Sequence, residues 1–169
     1  MAAVQGKNCG ACMMCCKLPA VVSLQKPAGK WCVNATAGKG CKIYDTRPDD
    51  CRAFHCGWLL DASLGPEWKP DACKFLMYIA NDGAFTLLVD PASPAAWRDP
   101  RFYPTIKMNA ARLLDRNMAS MVVVGSRKYV ILPERDVEVT IPPGYGARVV
   151  ISHLPEGPQY DVVVEPLPA

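Results

Sequence analysis

The sequence lacks the features by which membrane, secreted and nucleic-acid-binding proteins are usually recognised. No apolar run approaches the roughly 18 residues that a membrane-spanning helix needs, and apolar stretches such as 121–124 are only long enough for a strand. Residues 1–7 contain no basic stretch followed by an apolar core, which a secretory signal would require. The formal net charge of +3 is too small to indicate a nucleic-acid-binding surface. These absences predict a cytoplasmic protein that enters no membrane.

Catalytic signatures are missing as well. The chain contains no internal repeat, no glycine-rich phosphate-binding motif and no Gly-x-Ser-x-Gly nucleophile elbow. No residue is therefore assigned a catalytic role, and a non-enzymatic function is favoured.

Cysteine is the residue that the chain has in excess. All nine cysteines lie between Cys9 and Cys73. In the reducing cytosol, clustered thiols are typical of metal ligands or catalytic groups rather than disulfides, and an odd number does not allow complete pairing. Residues 1–60 also carry eight Lys and Arg against three Asp. This basic excess would offset the negative charge of metal–thiolate sites, although it is equally compatible with a solvated basic face.

The composition divides the chain into a cysteine-rich module at 1–61 and an accessory region at 62–169. Between Lys17 and Asp50 apolar periodicity is absent, so this segment cannot bury much apolar surface and needs another source of order, such as metal ligation. We therefore expect an α+β protein. A metal-stapled, loop-rich cysteine cluster should precede a mostly antiparallel sheet with one amphipathic helix, and the two regions should pack as one compact unit.

The accessory region has patterns that are typical of strands. Residues 75–80 and 84–89 flank Asn81-Asp82-Gly83, in which Asp-Gly favours the positive φ angles of a tight hairpin. A Pro-rich surface loop, packed by Trp97 and Phe102, is expected at 90–103. Later strands are predicted at 121–124, 129–132, 137–141, 148–152 and 160–164.

One amphipathic helix is predicted between the loop and the later strands. Pro104 suits the first turn of a helix, and the helix should end near Asn117. Its apolar face is formed by residues at helical spacing, namely Ile106, Ala110, Leu113 and Leu114.

The most specific pattern in the sequence is Cys9-x2-Cys12-x2-Cys15-Cys16. Two intervening residues let both sulfurs approach one ion while backbone N–H groups stabilise the thiolate charge. Four further cysteines follow in loops that contain Gly and Pro: Cys32, Cys41, Cys51 and Cys56. Eight cysteines divide naturally into two four-ligand sites. Because neighbouring side chains diverge in helices and strands, Cys15 and Cys16 should bind different ions, the alternative being that one is a buried thiol.

The cysteine run is followed by three further motifs: Trp31-Cys32, Gly40-Cys41-Lys42-Ile43-Tyr44 and Arg47-Pro48-x2-Cys51-Arg52-x-Phe54-x-Cys56. In this order, over roughly residues 7–61, they resemble the bacterial YkgJ-type cysteine-cluster family, a zinc- or iron-chelating domain. A similar module occurs in flagellin lysine methylases. The resemblance implies eight metal ligands and leaves Cys73 outside the pattern; the ligands are Cys9, Cys12, Cys15, Cys16, Cys32, Cys41, Cys51 and Cys56.

The ligand set favours two zinc ions over iron. Structural zinc prefers closed sites of four thiolates and needs no redox chemistry. The first three cysteines also match the C-x2-C-x2-C portion of a bacterial ferredoxin run, but the adjacent Cys16 replaces the expected spacing to a fourth Cys-Pro. Iron, alone or as a four-iron four-sulfur cluster, is therefore the alternative.

Other residues near the cysteines have less specific roles. His55 could replace a thiolate, but a histidine beside a ligand is more often a hydrogen-bonding neighbour. Cys73 opens an apolar run and is expected to be a buried free thiol. Arg47 and Arg52 could donate to thiolates or acids near the sites, or they could lie in solvent. Three aromatic residues should cover the sites and exclude water: Trp31, Phe54 and Trp58.

Three functions are compatible with these patterns. The leading hypothesis is a metal-binding protein whose ions are structural and whose C-terminal sheet presents a surface to an unidentified protein partner or substrate. The second is an iron–sulfur protein that transfers electrons or forms part of a protein-modifying enzyme, by analogy with the shared module. The third is a metal storage or delivery protein, which would need exposed and labile thiolates.

Overall fold

The computed structural model describes residues 3–80 and 83–167 and has the expected α+β composition, with helices and antiparallel strands. Within these residues, no helix is both long enough and apolar enough to cross a membrane. The chain divides into two compact units. The first consists of Met1–Tyr78 and Leu87–Trp97, and the second of Ile79–Thr86 and Arg98–Ala169. Residues 62–78 therefore belong to the same unit as the cysteine run.

The first unit is built from short elements. Its helices are α1 (Asp49–Ala53), α2 (Gly57–Leu60) and α3 (Pro70–Cys73), and its short 3-10 helices are Met14–Cys16, Val22–Leu24 and Pro66–Trp68. Strands β1 (Ala35–Thr36) and β2 (Gly40–Cys41) pair antiparallel. Helices of this length satisfy few of their own hydrogen bonds and cannot persist without surrounding contacts. Their order must come from the packing of the whole unit.

Few apolar side chains between residues 17 and 50 are buried. Leu18 and Val21 are 1% and 6% exposed, whereas Val22 and Val33 are 84% and 85% exposed. The larger apolar core of this unit lies further along the chain, around Trp68 and Phe75, whose rings meet edge to face with centroids 6.0 Å apart. The cysteine segment thus has little hydrophobic support of its own.

Five strands form a sheet in the order β3-β4-β5-β6-β7. Strands β3 (Phe75–Ile79) and β4 (Phe85–Val89) are neighbours in this sheet, at the positions predicted for the hairpin strands. Asn81 and Asp82 of the predicted turn lie outside the described residues. The other strands are β5 (Ser120–Val124), β6 (Arg127–Ile131) and β7 (Asp136–Val139).

The amphipathic helix is α4, Tyr103–Leu114, with Pro104 in its first turn. Ile106, Ala110 and Leu114 are buried, as the spacing predicts. The helix ends three residues before the predicted Asn117, because Asn117 adopts a left-handed conformation with φ 56°. The N–H of Met118 then bonds back to the Leu113 carbonyl, which terminates the helix.

A hairpin of two ten-residue strands lies near the end of the described chain. Strands β8 (Tyr145–Leu154) and β9 (Gly157–Pro166) pair antiparallel along their whole length, from Tyr145 opposite Pro166 to Leu154 opposite Gly157. An isolated two-stranded hairpin is marginally stable in water. Here alternate apolar residues pack against the buried cluster of Leu114, Val130 and Leu132, and they include Val149, Ile151, Tyr160 and Val162.

Two aromatic residues of the Pro-rich segment are buried as predicted. Trp97 is 1% and Phe102 2% exposed. A buried carboxylate follows in the second unit, where Asp136 accepts hydrogen bonds from Arg98, Tyr103 and Lys107 at 3.0–3.3 Å. This network fixes the start of α4 against β7.

Candidate metal centre

Local turns place the first four cysteines on one short stretch of backbone. The N–H of Cys12 bonds to the Cys9 carbonyl at 2.9 Å, and Gly10 between them has φ +51°, a conformation that suits glycine. The 3-10 helix Met14–Cys16 follows, and the N–H of Cys16 bonds to the Met13 carbonyl. The run is therefore tightly folded.

Backbone hydrogen bonds then bring two later cysteines to Cys16. The N–H of Cys32 donates to the Cys16 carbonyl at 2.9 Å. The N–H of Ala35 donates to the Cys32 carbonyl, and Ala35 pairs with Cys41 across β1 and β2. Sequence spacing alone did not reveal these contacts, because they join residues that are 16 and 6 positions apart.

The last two cysteines of the motif lie on or next to short helices. Cys51 is in α1, which begins after Pro48, and Cys56 precedes α2 and accepts the N–H of Leu59. Extended backbone at Phe54 separates the two helices. Cys51 and Cys56 are therefore free to face different neighbours.

Four cysteines surround a small cavity of about 20 Å³. We call them the first cysteine group: Cys9, Cys12, Cys15 and Cys56. Roughly 10–15 Å³ of such volume is the room of one water molecule, so the cavity is of the size that a single ion needs. The rest of its lining consists of Trp58, Leu59, Lys69, Pro70 and Leu76. Burial raises the pKa of Cys12 and of Cys56, as expected for thiols held away from water.

The other four cysteines form the second cysteine group: Cys16, Cys32, Cys41 and Cys51. They line one cavity of about 290 Å³, which also reaches Cys9, Cys15 and Cys56, so the two groups are adjacent. The pKa of Cys51 is raised by burial and then by the neighbouring charges of the other three members. Cys16 also accepts a hydrogen bond from Cys41. Cys51 and Cys16 therefore each lie near other members of this group.

The vicinal pair joins the two groups. Cys15 and Cys16 share a hydrogen bond that raises the pKa of Cys15 and lowers that of Cys16 to about 7. The thiol of Cys15 is the donor and the sulfur of Cys16 is the acceptor, which explains the opposite directions. Cys15 nevertheless lines the small cavity and Cys16 does not. The two sulfurs therefore have different sets of neighbours.

The side chain of Arg47 indicates that the larger cavity suits negatively charged groups. Its guanidinium lies 3.9 Å from the ring centroid of Tyr44, and the residue lines the larger cavity. Its Nε is buried and has no hydrogen-bond partner among residues 3–80 and 83–167. A buried N–H without an acceptor is costly. Ionised sulfurs of Cys9 and Cys15, whose charges act on this guanidinium, would be suitable acceptors, so the residues present fit metal–thiolate sites.

Cys73 belongs to neither group. Its side chain is 2% exposed, and its thiol donates to the carbonyls of Trp68 and Phe75 at 3.4 and 3.2 Å. Burial raises its pKa to about 12. The prediction of a buried free thiol agrees with this environment.

The other residues singled out in the sequence differ in whether they contact backbone, line a cavity or lie in solvent. Nδ1 of His55 lies 2.7 Å from the Ala53 carbonyl, and Arg52 donates to the carbonyls of Arg47 and Asp45. Trp58 lines the smaller cavity and Phe54 the larger one. Trp31 lines neither cavity and is 52% exposed.

The thiols are neighbours, but their sulfurs do not have the geometry of a metal-coordination site. In the part of the chain that the structure describes, no three His, Cys, Asp or Glu side chains converge closely enough to hold a metal ion. Comparisons of the chain with protein-family models, with curated proteins and with solved structures find no match.

Proposed function

We propose that this protein binds two metal ions through eight cysteine thiolates and that these ions order its first unit. The first cysteine group would hold one ion and the second cysteine group the other. The observation that carries the proposal is the proximity of the eight motif cysteines: the first cysteine group lines a cavity of about 20 Å³, and Cys51 lies near the other three members of the second group on the wall of a larger cavity, which Cys9, Cys15 and Cys56 also reach.

The cysteine segment of the first unit has few other sources of order. The segment between residues 17 and 50 buries few apolar side chains, and its strands are two residues long. Structural zinc sites contribute on the order of 10 kcal/mol to folding, which is ample for loops of this kind. Ion binding would require the cysteine side chains to rotate inward until four sulfurs converge.

Zinc is the proposed metal, since four thiolates form a closed tetrahedral site for it. The motif order that resembles the YkgJ-type family is compatible with zinc or iron. An iron–sulfur cluster is the second candidate, because the cavity of about 290 Å³ along the second cysteine group exceeds what one ion needs. A cluster would supply electron transfer. In either case the C-terminal sheet would offer the surface for a protein partner or substrate, and the protein would act in the cytoplasm.

Elemental analysis with an absorption spectrum tests the proposal. We expect anaerobically purified protein to contain two zinc ions per chain and to be colourless. A brown chromophore with iron and acid-labile sulfide would favour the cluster instead. The Cys73→Ala variant is the matched control, and it should hold the same amount of metal as the wild type. Protein that contains neither metal, even after reconstitution with zinc or with iron and sulfide under reducing conditions, would contradict the proposal.

A further inference from the structure

Lys26 is a buried lysine on the wall of the larger cavity, together with all four members of the second cysteine group. It is 6% exposed. Lysine is almost never fully buried unless its charge is compensated. A buried ammonium in a cavity lined by thiols therefore needs an explanation.

The ammonium group of Lys26 is fully hydrogen-bonded to backbone. Nζ donates to the carbonyls of Lys17, Pro19 and Pro27 at 2.9, 2.5 and 3.0 Å. These three bonds use all three of its protons. They tie the segment directly after Cys16 to the segment that leads to Cys32, so the side chain fixes the spacing of two members of the second cysteine group.

The charge of Lys26 has no carboxylate partner within residues 3–80 and 83–167. Among the described residues, its polar contacts are carbonyls, which are neutral. The charges that act on it belong to Cys32, Cys16, Cys15 and Cys51. Burial lowers the pKa of Lys26, and these thiolate charges oppose that shift. The cysteines are thus the groups that can compensate the buried cation.

We propose that Lys26 is the positioning residue and counter-cation of the second cysteine group, where its fixed positive charge offsets the excess negative charge of four thiolates on a divalent ion. Four thiolates and one divalent ion carry a net charge of about −2. A cation held nearby reduces the repulsion among the sulfurs and favours the loaded state. This inference depends on the proposed two-site function. It adds that the second group needs Lys26 more than the first does, because three of the four cysteines whose charges act on Lys26 belong to the second group, namely Cys16, Cys32 and Cys51.

Lys7 provides a matched comparison at the first group. Its Nζ also donates to three backbone carbonyls, those of Trp58, Asp61 and Leu64. It lies 5.0 Å from the centroid of the Trp58 ring, and it lines neither cavity. Lys7 therefore makes the same kind of backbone hydrogen bonds as Lys26 but does not line a cavity with the cysteines.

The test uses the full-length protein with zinc and a competing chromophoric chelator. Lys26→Met should lower the affinity for one of the two zinc ions by about 10- to 100-fold, which is the range for residues that support metal ligands. Cysteine alkylation followed by mass spectrometry should then label the second cysteine group and leave the first protected. Lys7→Met should bind the ion at the second cysteine group as tightly as the wild type does.

Two further variants separate the effect of the positive charge of Lys26 from the effect of its hydrogen bonds to the backbone. Lys26→Arg keeps the charge and should restore most of the affinity, whereas Lys26→Gln keeps two donors without the charge and should behave as Lys26→Met does. The inference is overturned if Lys26→Met binds both ions as the wild type does, if it weakens both groups equally, or if Gln rescues and Arg does not. A wild-type protein that binds no metal would instead refute the two-site function on which the inference rests.

Discussion

Lys17 Nζ lies 2.7 and 2.6 Å from the two carboxylate oxygens of Asp90, an ion pair whose side chains are 16% and 9% exposed. Lys17 directly follows the cysteine run, and Asp90 directly follows strand β4. The pair therefore ties the cysteine segment to a distant part of the same unit. Asp90 also accepts the N–H of Ala92, so its position is fixed from both sides.

Asp90→Asn should destabilise the first unit by about 3 kcal/mol, because it leaves the ammonium of Lys17 partly buried without its counter-charge. The four tryptophans lie at 31, 58, 68 and 97, all within this unit, so their fluorescence during urea unfolding reports its stability. Asp45→Asn is the control, since Asp45 is exposed, lies in the same unit and forms no ion pair among the described residues, so this substitution should leave the free energy of unfolding nearly unchanged. Equal effects of the two substitutions would contradict this argument.

Removal of metal should unfold the cysteine segment while the second unit keeps its structure. We expect a reduced, chelated sample to lose amide-exchange protection in residues 9–56, because binding free energy is coupled to the folding of such loops. Strands β5 and β6 pair over four residues each and contain the fully buried Val122 and Val130, so they should stay protected. Hydrogen–deuterium exchange with mass spectrometry measures both regions. Native protection in residues 9–56 after chelation would show that metal does not order them.

Cys73 should be dispensable for metal binding. Cys73→Ala removes a buried sulfur and two weak hydrogen bonds, at a cost of about 1 kcal/mol in stability, but the metal count should not change. Cys12→Ser and Cys51→Ser should each lower the count by one ion, since each removes one ligand from a different group. Loss of metal from the Cys73 variant would refute the set of eight ligands.

Cys15 and Cys16 should bind different ions. Cys15→Ser should expose the first cysteine group to alkylation, and Cys16→Ser should expose the second group, with one ion retained in each variant. Mass-spectrometric mapping of the modified cysteines distinguishes the two patterns. If both variants expose the same cysteines, or if the wild type holds a single ion per chain, the two-site arrangement is wrong.

In the metal-free protein, Cys16 should be the first of these thiols to react as pH rises. The hydrogen bond from Cys15 lowers its pKa from 9.0 to about 7, so about half of it is thiolate at pH 7. A brief pulse of iodoacetamide should label Cys16 on the order of tenfold faster than an ordinary thiol, with a rate that rises up to about pH 8 and then levels off. Cys73, with a pKa raised to about 12, should label last. Uniform labelling from pH 6 to 9 would contradict this order.

The sequence predicted the later strands and α4 because their apolar residues repeat at the strand and helix periods. It did not predict α1, α2 and α3, since helices of four or five residues are too short to show a period. The eight motif cysteines were recognised from spacing, but their grouping depends on contacts such as the one between Cys32 and Cys16. Lys26 gave no signal, because a lysine is expected in solvent and only the folded backbone provides its three carbonyls.

The hairpin β8–β9 ends in a tip that suits the attachment of a probe. Pro155 and Glu156 connect the two strands and are exposed, and Gly157 follows with φ +127°. The residues that anchor the hairpin, such as Val149 and Val162, lie well back along the strands. A short epitope or a fluorescent-protein fusion inserted at this tip would leave every cysteine and every anchoring contact unchanged. It would give a handle for immobilising the native chain while metal is added and withdrawn.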